Sequence, residues 1–225
     1  MSYFLSKEES NFYEDEGYLV RENQFSINEV NALRHALERA VNKAQEKSSG
    51  GKAYYLDKKK FVDVDYMTLQ YEPQSEDNIL KVIEPAHFLD KELYSLTQDT
   101  RITDPVRSIL EEDEISLWTD KLNLKRPGRG SGFGWHQDSP YWVHDSNNVD
   151  LLPNVYLSLD NADENNGCFR VIRASHKEGC LPGTSNGTQL GGFYTDPNYF
   201  NEADAVDFNI KAGSLVFFNQ HIVHG

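Results

Sequence analysis

From Ser26 onward, Ile27, Val30, Leu33, Leu37, Ala40, Val41 and Ala44 recur at three- and four-residue steps, the spacing that lines one face of an α-helix. Ser26 and Glu29 frame its start as a capping box, each side chain satisfying the other residue's backbone N–H. Lys47-Ser48-Ser49-Gly50-Gly51 marks its end, because paired glycines take the conformations that stop a helix. Residues 61–71 then alternate and are rich in β-branched and aromatic side chains, which predicts a strand closed by Glu72-Pro73. A mixed region over residues 77–112 carries short helical patterns, such as that over 82–89.

From Ile115 the texture changes to short strands separated by glycine, proline and asparagine clusters, as in a sandwich or barrel rather than βαβ units. Residues 116–125 read as one strand, ended by Arg126-Pro127-Gly128-Arg129-Gly130. Over 154–160, Val155, Leu157 and Leu159 alternate with Asn154, Tyr156 and Ser158, the pattern of a half-buried strand. Asp163-Glu164-Asn165-Asn166-Gly167 turns the chain into a strand over 168–173. Near the end, Phe208-Asn209-Ile210 and residues 214–219 flank Lys211-Ala212-Gly213, which reads as a hairpin-like turn. The last strand runs into His221-Ile222-Val223-His224-Gly225.

Length and charge narrow the partners. The 225 residues suffice for one core, and no internal repeat or linker divides them, so one domain is expected over 1–225. Its helical part covers about 1–110 and its β core about 111–225. A net charge of -14, from 36 acidic and 22 basic residues, argues against a nucleic-acid backbone or an anionic membrane surface as partner. Cys168 and Cys180 fit neither a disulfide framework nor a zinc ribbon. No basic leader followed by an apolar run, and no bilayer-spanning stretch, is present, so a cytoplasmic location is expected. Asn186-Gly187-Thr188 reads as a polar turn.

The sharpest chemical feature is Gly134-Trp135-His136-Gln137-Asp138. On an extended segment, residues two apart point to the same side, so His136 and Asp138 share a face. One imidazole and one carboxylate, completed by a distant second histidine, make a facial triad that leaves open positions on a metal. A His-X-Asp pair alone is weak evidence, since a lone histidine is more often a plain core or surface residue. The second element is the apolar strand that ends in His224-Gly225.

Together, His136-Gln137-Asp138, Asn166-Gly167-Cys168, Ala174-Ser175-His176-Lys177 and Gly213-Ser214-Leu215-Val216-Phe217-Phe218 through His224-Gly225 resemble the phytanoyl-CoA dioxygenase family, which includes ectoine hydroxylases. Four motifs in order over the second half of the chain are specific where each alone is not. The resemblance implies a double-stranded β-helix (jelly roll, cupin-like), mainly β with flanking helices. It also implies an iron(II)- and 2-oxoglutarate-dependent dioxygenase that uses O2 to hydroxylate a small-molecule substrate, releasing succinate and CO2. His136, Asp138 and His224 take the place of its iron ligands, with His221 a pocket-wall or packed neighbour and His176 a structural turn residue. Asp138 favours hydroxylation, because related halogenases carry a small residue there. Asn123 matches a position that hydrogen-bonds 2-oxoglutarate, and Tyr156 an aromatic that walls it. Trp142 lies near the expected mouth, and the glycine- and threonine-rich loop over 177–199 reads as a lid or specificity element. His35 and His87 read as solvated surface residues.

The face formed by Thr119, Lys121 and Asn123 fits either a lined pocket or plain solvent exposure. In the resembling family an arginine on the strand after the second histidine pairs with 2-oxoglutarate. The sequence stops at Gly225, so the jelly roll is expected without its last core strand and the chain reads as part of a longer one. Arg170 and Arg173 lie on a different strand. Two other readings stay open: a metal- or ligand-binding jelly roll without oxygenase activity, and a zinc hydrolase using the same three ligands. Substrate identity and oligomeric state are not encoded in any of these motifs.

Overall fold

The computed structural model describes residues 2–73 and 78–225, so Met1 and Asp77, where the mixed middle region was set to begin, lie outside it. In chain order the elements are α1 (Lys7–Glu16), β1 (Tyr18–Arg21), α2 (Ile27–Ser48), β2 (Lys52–Leu56), β3 (Lys59–Val64), β4 (Met67–Tyr71), β5 (Leu80–Glu84), α3 (Lys91–Leu96), α4 (Thr100–Leu110), β6 (Leu122–Asn123), α5 (Ser139–Trp142), β7 (Asn154–Leu157), β8 (Arg170–Ile172), β9 (Ala205–Asp207) and β10 (Leu215–Phe218). They fall into two compact units. One comprises Met1–Val30, Thr100–Ile115 and Phe133–Gly225, the other Asn31–Asp99 and Ser116–Gly132.

Helix α2 follows its periodicity. Val30, Ala36, Ala40 and Ala44 are fully buried, and the capping box forms as expected: Ser26 N–H donates to Glu29 Oε2 at 2.8 Å and Glu29 N–H to Ser26 Oγ at 3.4 Å.

In the unit built around most of this helix, β2 to β6 form an antiparallel sheet in sequence order. Its core joins Ala36, Ala40, Val41 and Ala44 to Val62, Leu69, Leu80 and Ile83. The expected single strand over 61–71 is instead a hairpin, β3 and β4, turning at Asp65 and Tyr66 with Asp65 at φ 53°. Its arms pair Val62 with Leu69 and Val64 with Met67, so both present apolar side chains to one face. A two-residue turn without glycine does not interrupt that alternation. The pattern over 82–89 is also not helical, since it begins in β5, whose Leu80, Val82 and Ile83 are all buried, and ends in a short 3-10 turn. β5 is buried on both faces although Lys81 interrupts its apolar residues, so it is too short and too mixed for periodicity to separate it from a helical pattern.

The strand expected over 116–125 enters the ladder only at Leu122 and Asn123. Upstream of them the side chains take over the bonding. Asp120 accepts the N–H groups of Ala86 and His87 at 3.1 and 2.9 Å, and its other oxygen lies 2.5 Å from His87 Nδ1. His87 is therefore a half-buried, bonded residue rather than a solvated one.

In the other unit β1, β10 and β7 make one antiparallel sheet, with β10 in the centre. A second layer starts from β9 and β8 and continues through single bridges: Val171 to His224, His224 to His136, His136 to Tyr194, and Thr195 to Gly183. Val171, Phe208, Ile210, Val216, Phe218 and Ile222 fill the core of this unit. Residues 211–213 do not close a hairpin. The chain before them pairs with β8, whereas β10 pairs with β1 and β7, so they carry the chain from one layer to the other. Gly213 is needed at this crossing, because it sits at φ 89° and a Cβ there would lie 2.2 Å from the Phe25 carbonyl oxygen.

Candidate metal centre

His136 and His224 face each other on neighbouring extended segments. His136 N–H donates to the His224 carbonyl at 2.9 Å and His224 N–H to the His136 carbonyl at 2.8 Å. Such a doubly bonded pair puts its side chains on the same face of the ladder. The two rings accordingly lie side by side, centroids 4.2 Å apart. Period-two geometry adds Asp138 on that side, with Oδ2 3.8 Å from His224 Nε2. Ligand atoms of the three residues all lie within 4.8 Å of one another. Atoms sharing one cation at about 2.0–2.2 Å stand roughly 3–4 Å apart, so a small contraction closes this set on an ion.

The hydrogen bonding of each ring fits the same chemistry. Nδ1 of His136 lies 2.8 Å from the Gly134 carbonyl and Nδ1 of His224 lies 3.0 Å from the Ile222 carbonyl. A carbonyl oxygen only accepts, so each Nδ1 carries the proton and the lone pair of the neutral ring sits on Nε2. His136, Asp138 and His224 are 8, 3 and 4 % exposed. A carboxylate this deeply buried is stabilised by nearby positive charge, and a divalent cation held between it and the two imidazoles would supply that charge. Among the described residues, this is the one cluster of histidine, cysteine and acidic side chains with metal-ligand proximity that is buried throughout.

Aromatic rings wall the centre. Phe169 and Phe218 lie 5.3 and 5.1 Å from the His224 ring, and Phe133 and Tyr141 lie 6.2 and 6.3 Å from the His136 ring. Tyr156 stacks on Phe169 at 5.5 Å and so reaches the triad through one ring. Burial pushes its phenol above the ordinary tyrosine range. Asn123 is exposed on β6, where its backbone pairs with Val82 in the other unit.

The remaining histidines take supporting or unrelated places. His221 stays out of the cluster, with Nε2 2.7 Å from Asp150 Oδ1. His176 packs its ring over Gly17, and its Nε2 lies 2.9 Å from the Glu14 carbonyl. The adjoining Ser175 accepts the Val223 N–H at 2.8 Å, which steadies the strand into His224. Arg170 and Arg173 are engaged by Asp207 and Glu16. His35 and His144 are exposed. Phe169 and Phe133 lie beside motif residues and Phe218 is itself a motif residue, but the sequence did not single out any of the three as a wall of the site. The signal available was their position within two to six residues of the ligands or of Gly167.

The family model described as "Phytanoyl-CoA dioxygenase (PhyH)" matches residues 13–225. The chain belongs to the phytanoyl-CoA dioxygenase family. Among curated proteins, this family member is 28% identical to the "Probable alpha-ketoglutarate-dependent hypophosphite dioxygenase" of Stutzerimonas stutzeri, over 76% of this chain and 53% of that protein. It is 26% identical to the ectoine dioxygenase of Bordetella bronchiseptica, over 98% of this chain and 70% of that one. The chain thus spans between half and about two thirds of the length of these two relatives. Of solved structures, EctD from S. alaskensis with 2-oxoglutarate and 5-hydroxyectoine superposes with a TM-score of 0.70 at 23% identity, over 98% of this chain and 69% of that chain. The likeness establishes the jelly-roll fold of the family for this chain.

Proposed function

We propose that this protein is an iron(II)- and 2-oxoglutarate-dependent dioxygenase that hydroxylates a small-molecule substrate, with release of succinate and CO2. The observation that carries the reading is the buried cluster of His136, Asp138 and His224, whose imidazoles are held in the tautomer that presents Nε2 as a ligand. His136 Nε2, His224 Nε2 and one Asp138 oxygen would hold the metal. Three protein ligands leave room for a cosubstrate and dioxygen on one ion. With those groups bound, the metal centre supplies the oxidation that places oxygen on a C–H bond, a chemistry that belongs to the cofactor.

The chain's own residues bind, orient and shield. Phe169 and Phe218 cover the ring of His224 from water, and a drier site would strengthen the electrostatic hold on the ion. Tyr156, stacked on Phe169, would wall the cosubstrate, and it and Asn123 carry their 2-oxoglutarate assignments on the family resemblance alone. Retention of the Asp138 carboxylate favours hydroxylation over halogenation. The ectoine and hypophosphite dioxygenases among the relatives support a small molecule as substrate.

The test is succinate formation with iron(II), 2-oxoglutarate and O2 across candidate small molecules, alongside the visible absorbance of the anaerobic iron(II)-2-oxoglutarate chelate. The chelate band and substrate-dependent succinate are expected. Metal binding without the band leaves a metal-binding jelly roll in its place, and no metal binding at all overturns the reading.

A further inference from the structure

Between the two ligands of the His-X-Asp motif stands Gln137, and the same alternation that aims His136 and Asp138 to one side turns Gln137 to the other. Its side chain is fully buried. The amide makes three hydrogen bonds, all to backbone. Nε2 donates to the Gly179 carbonyl at 2.8 Å and to the His221 carbonyl at 2.5 Å, and Oε1 accepts the Leu181 N–H at 2.7 Å. Two donors and one acceptor on a planar group of this reach are what a glutamine offers.

The partners belong to two separate stretches that matter to the metal centre. His221 lies in the turn that leads into His224. Gly179 and Leu181 open the loop over 177–199, and the far end of that loop returns to the same segment. There Thr195 N–H donates to the Trp135 carbonyl at 3.0 Å, Tyr194 covers Gly134, and Phe193 stacks on Tyr141 at 4.3 Å with planes 11° apart. The loop is thus pinned at both ends to the residues around His136. Gln137 holds one end, and it also holds the approach to the third ligand.

We infer that Gln137 is a positioning residue, a latch that fixes the start of the 177–199 loop and the turn before His224 onto the strand carrying His136 and Asp138. Through it, the separation of the ligands and the order of the loop are linked. Removing the amide takes the partner from a buried carbonyl at His221 and from a partly buried carbonyl and N–H at Gly179 and Leu181, a loss concentrated at these two stretches. The metal side of the inference rests on the triad's reading as an iron site; the loop side does not.

Hydrogen exchange and metal titration on the whole chain separate the two. In the metal-free wild type the Leu181 amide is expected to exchange about 100-fold or more slower than an open loop amide. Exchange at the open rate overturns the latch without any variant, so the test survives if a variant fails to fold. Gln137→Ala and the near-isosteric Gln137→Met are expected to lose that protection and to bind Mn(II) or Fe(II) about 10–100-fold more weakly. Either variant binding metal as tightly as the wild type overturns the positioning role. A wild type that binds no metal refutes the iron reading instead, and the Leu181 exchange rate still decides the latch.

Discussion

His136 and His224, 88 positions apart in the chain, exchange both of their backbone hydrogen bonds and stand ring beside ring at 4.2 Å. Their placement is a property of strand register rather than of side-chain flexibility. A slip of one residue on either strand would turn an imidazole to the opposite face. The candidate ligand set is therefore built by the same ladder that builds the fold, with Asp138 added by alternation along one of its strands.

Removing a ligand should abolish metal binding while leaving the ladder intact, because the bonds that fix the register are backbone bonds. His136→Ala and Asp138→Ala are expected to lower Mn(II) or Fe(II) affinity by more than about 100-fold, beyond the loss typical of a supporting residue. The metal-free melting temperatures should stay near that of the wild type. The wild type should gain about 2.7 kcal/mol at a metal concentration one hundred times its Kd, and the variants less than about 0.4 kcal/mol. Thermal melts with and without metal check this, and full metal stabilisation of either variant would exclude it as a ligand.

The start of helix α2 gives a pH-dependent prediction. Glu29 is held at about 2, first by its bond with the Ser26 hydroxyl, then by the Ser26 N–H and by Arg101, whose Nη1 donates to Oε1 at 2.8 Å. Arg101 is itself placed by stacking on Phe25 at 3.7 Å and by the Gln24 carbonyl. A carboxylate whose value is depressed on folding stabilises the protein above its ordinary value near 4.5, and that stabilisation fades as pH falls through about 2. Because the Glu29 side chain is 43 % exposed, solvent screening limits the effect to the ordinary scale of a helix cap, about 1 kcal/mol. Glu29→Ala should lower the urea midpoint at pH 7, and the gap to the wild type should shrink between about pH 4.5 and 2. A gap that does not change with pH would show that the carboxylate's charge plays no part.

The sequence revealed the elements with strong local signals, and by positional ones it singled out the three candidate ligands that the structure brings together. Helix α2 and its cap followed from periodicity and from Ser26 and Glu29. Strand β7 followed from Val155 and Leu157, and all three candidate ligands followed from motif order. The elements that escaped had their pattern decided by tertiary context. The β3–β4 hairpin hid behind an unbroken alternation, β5, buried on both faces, was too short and too mixed to show its period, and β1 was too short to register. The crossing at 211–213 misled for another reason: turn chemistry marks where a chain bends, not which strand it joins next. Gln137 was visible as a residue of the motif, but its role depends on loop carbonyls more than 40 positions away.

Gly213 offers a sharp test of that crossing. Any side chain there meets both an unfavourable backbone region, at φ 89°, and the Phe25 carbonyl oxygen. The strained conformation alone costs about 1–2 kcal/mol for an L-residue, and the clash with backbone adds to it. Gly213→Ala should therefore destabilise by more than about 2 kcal/mol, read as a lowered denaturant midpoint with an unchanged slope. A loss under about 0.5 kcal/mol would mean that this segment shifts freely and that the layer crossing is not fixed here.

Phe169 joins the fold to the metal centre more directly. Its ring touches Tyr156, Phe208 and Phe218 and lies 5.3 Å from His224, so one side chain ties the hydrophobic core of the jelly roll to a candidate ligand. Because Phe169 is only partly buried, its truncation should fall at or below the lower end of the usual range for a core phenylalanine, about 2–3 kcal/mol for Phe169→Ala. The conservative Phe169→Leu keeps apolar volume but loses the stacked face against Tyr156. It should cost under about 1.5 kcal/mol in stability. If Tyr156 walls the cosubstrate from behind this ring, Phe169→Leu should nonetheless weaken the anaerobic iron(II)-2-oxoglutarate chelate several-fold while leaving metal affinity nearly unchanged. Equal losses in both would place Phe169 with the ligands, and no loss in either would remove Tyr156 from the cosubstrate wall.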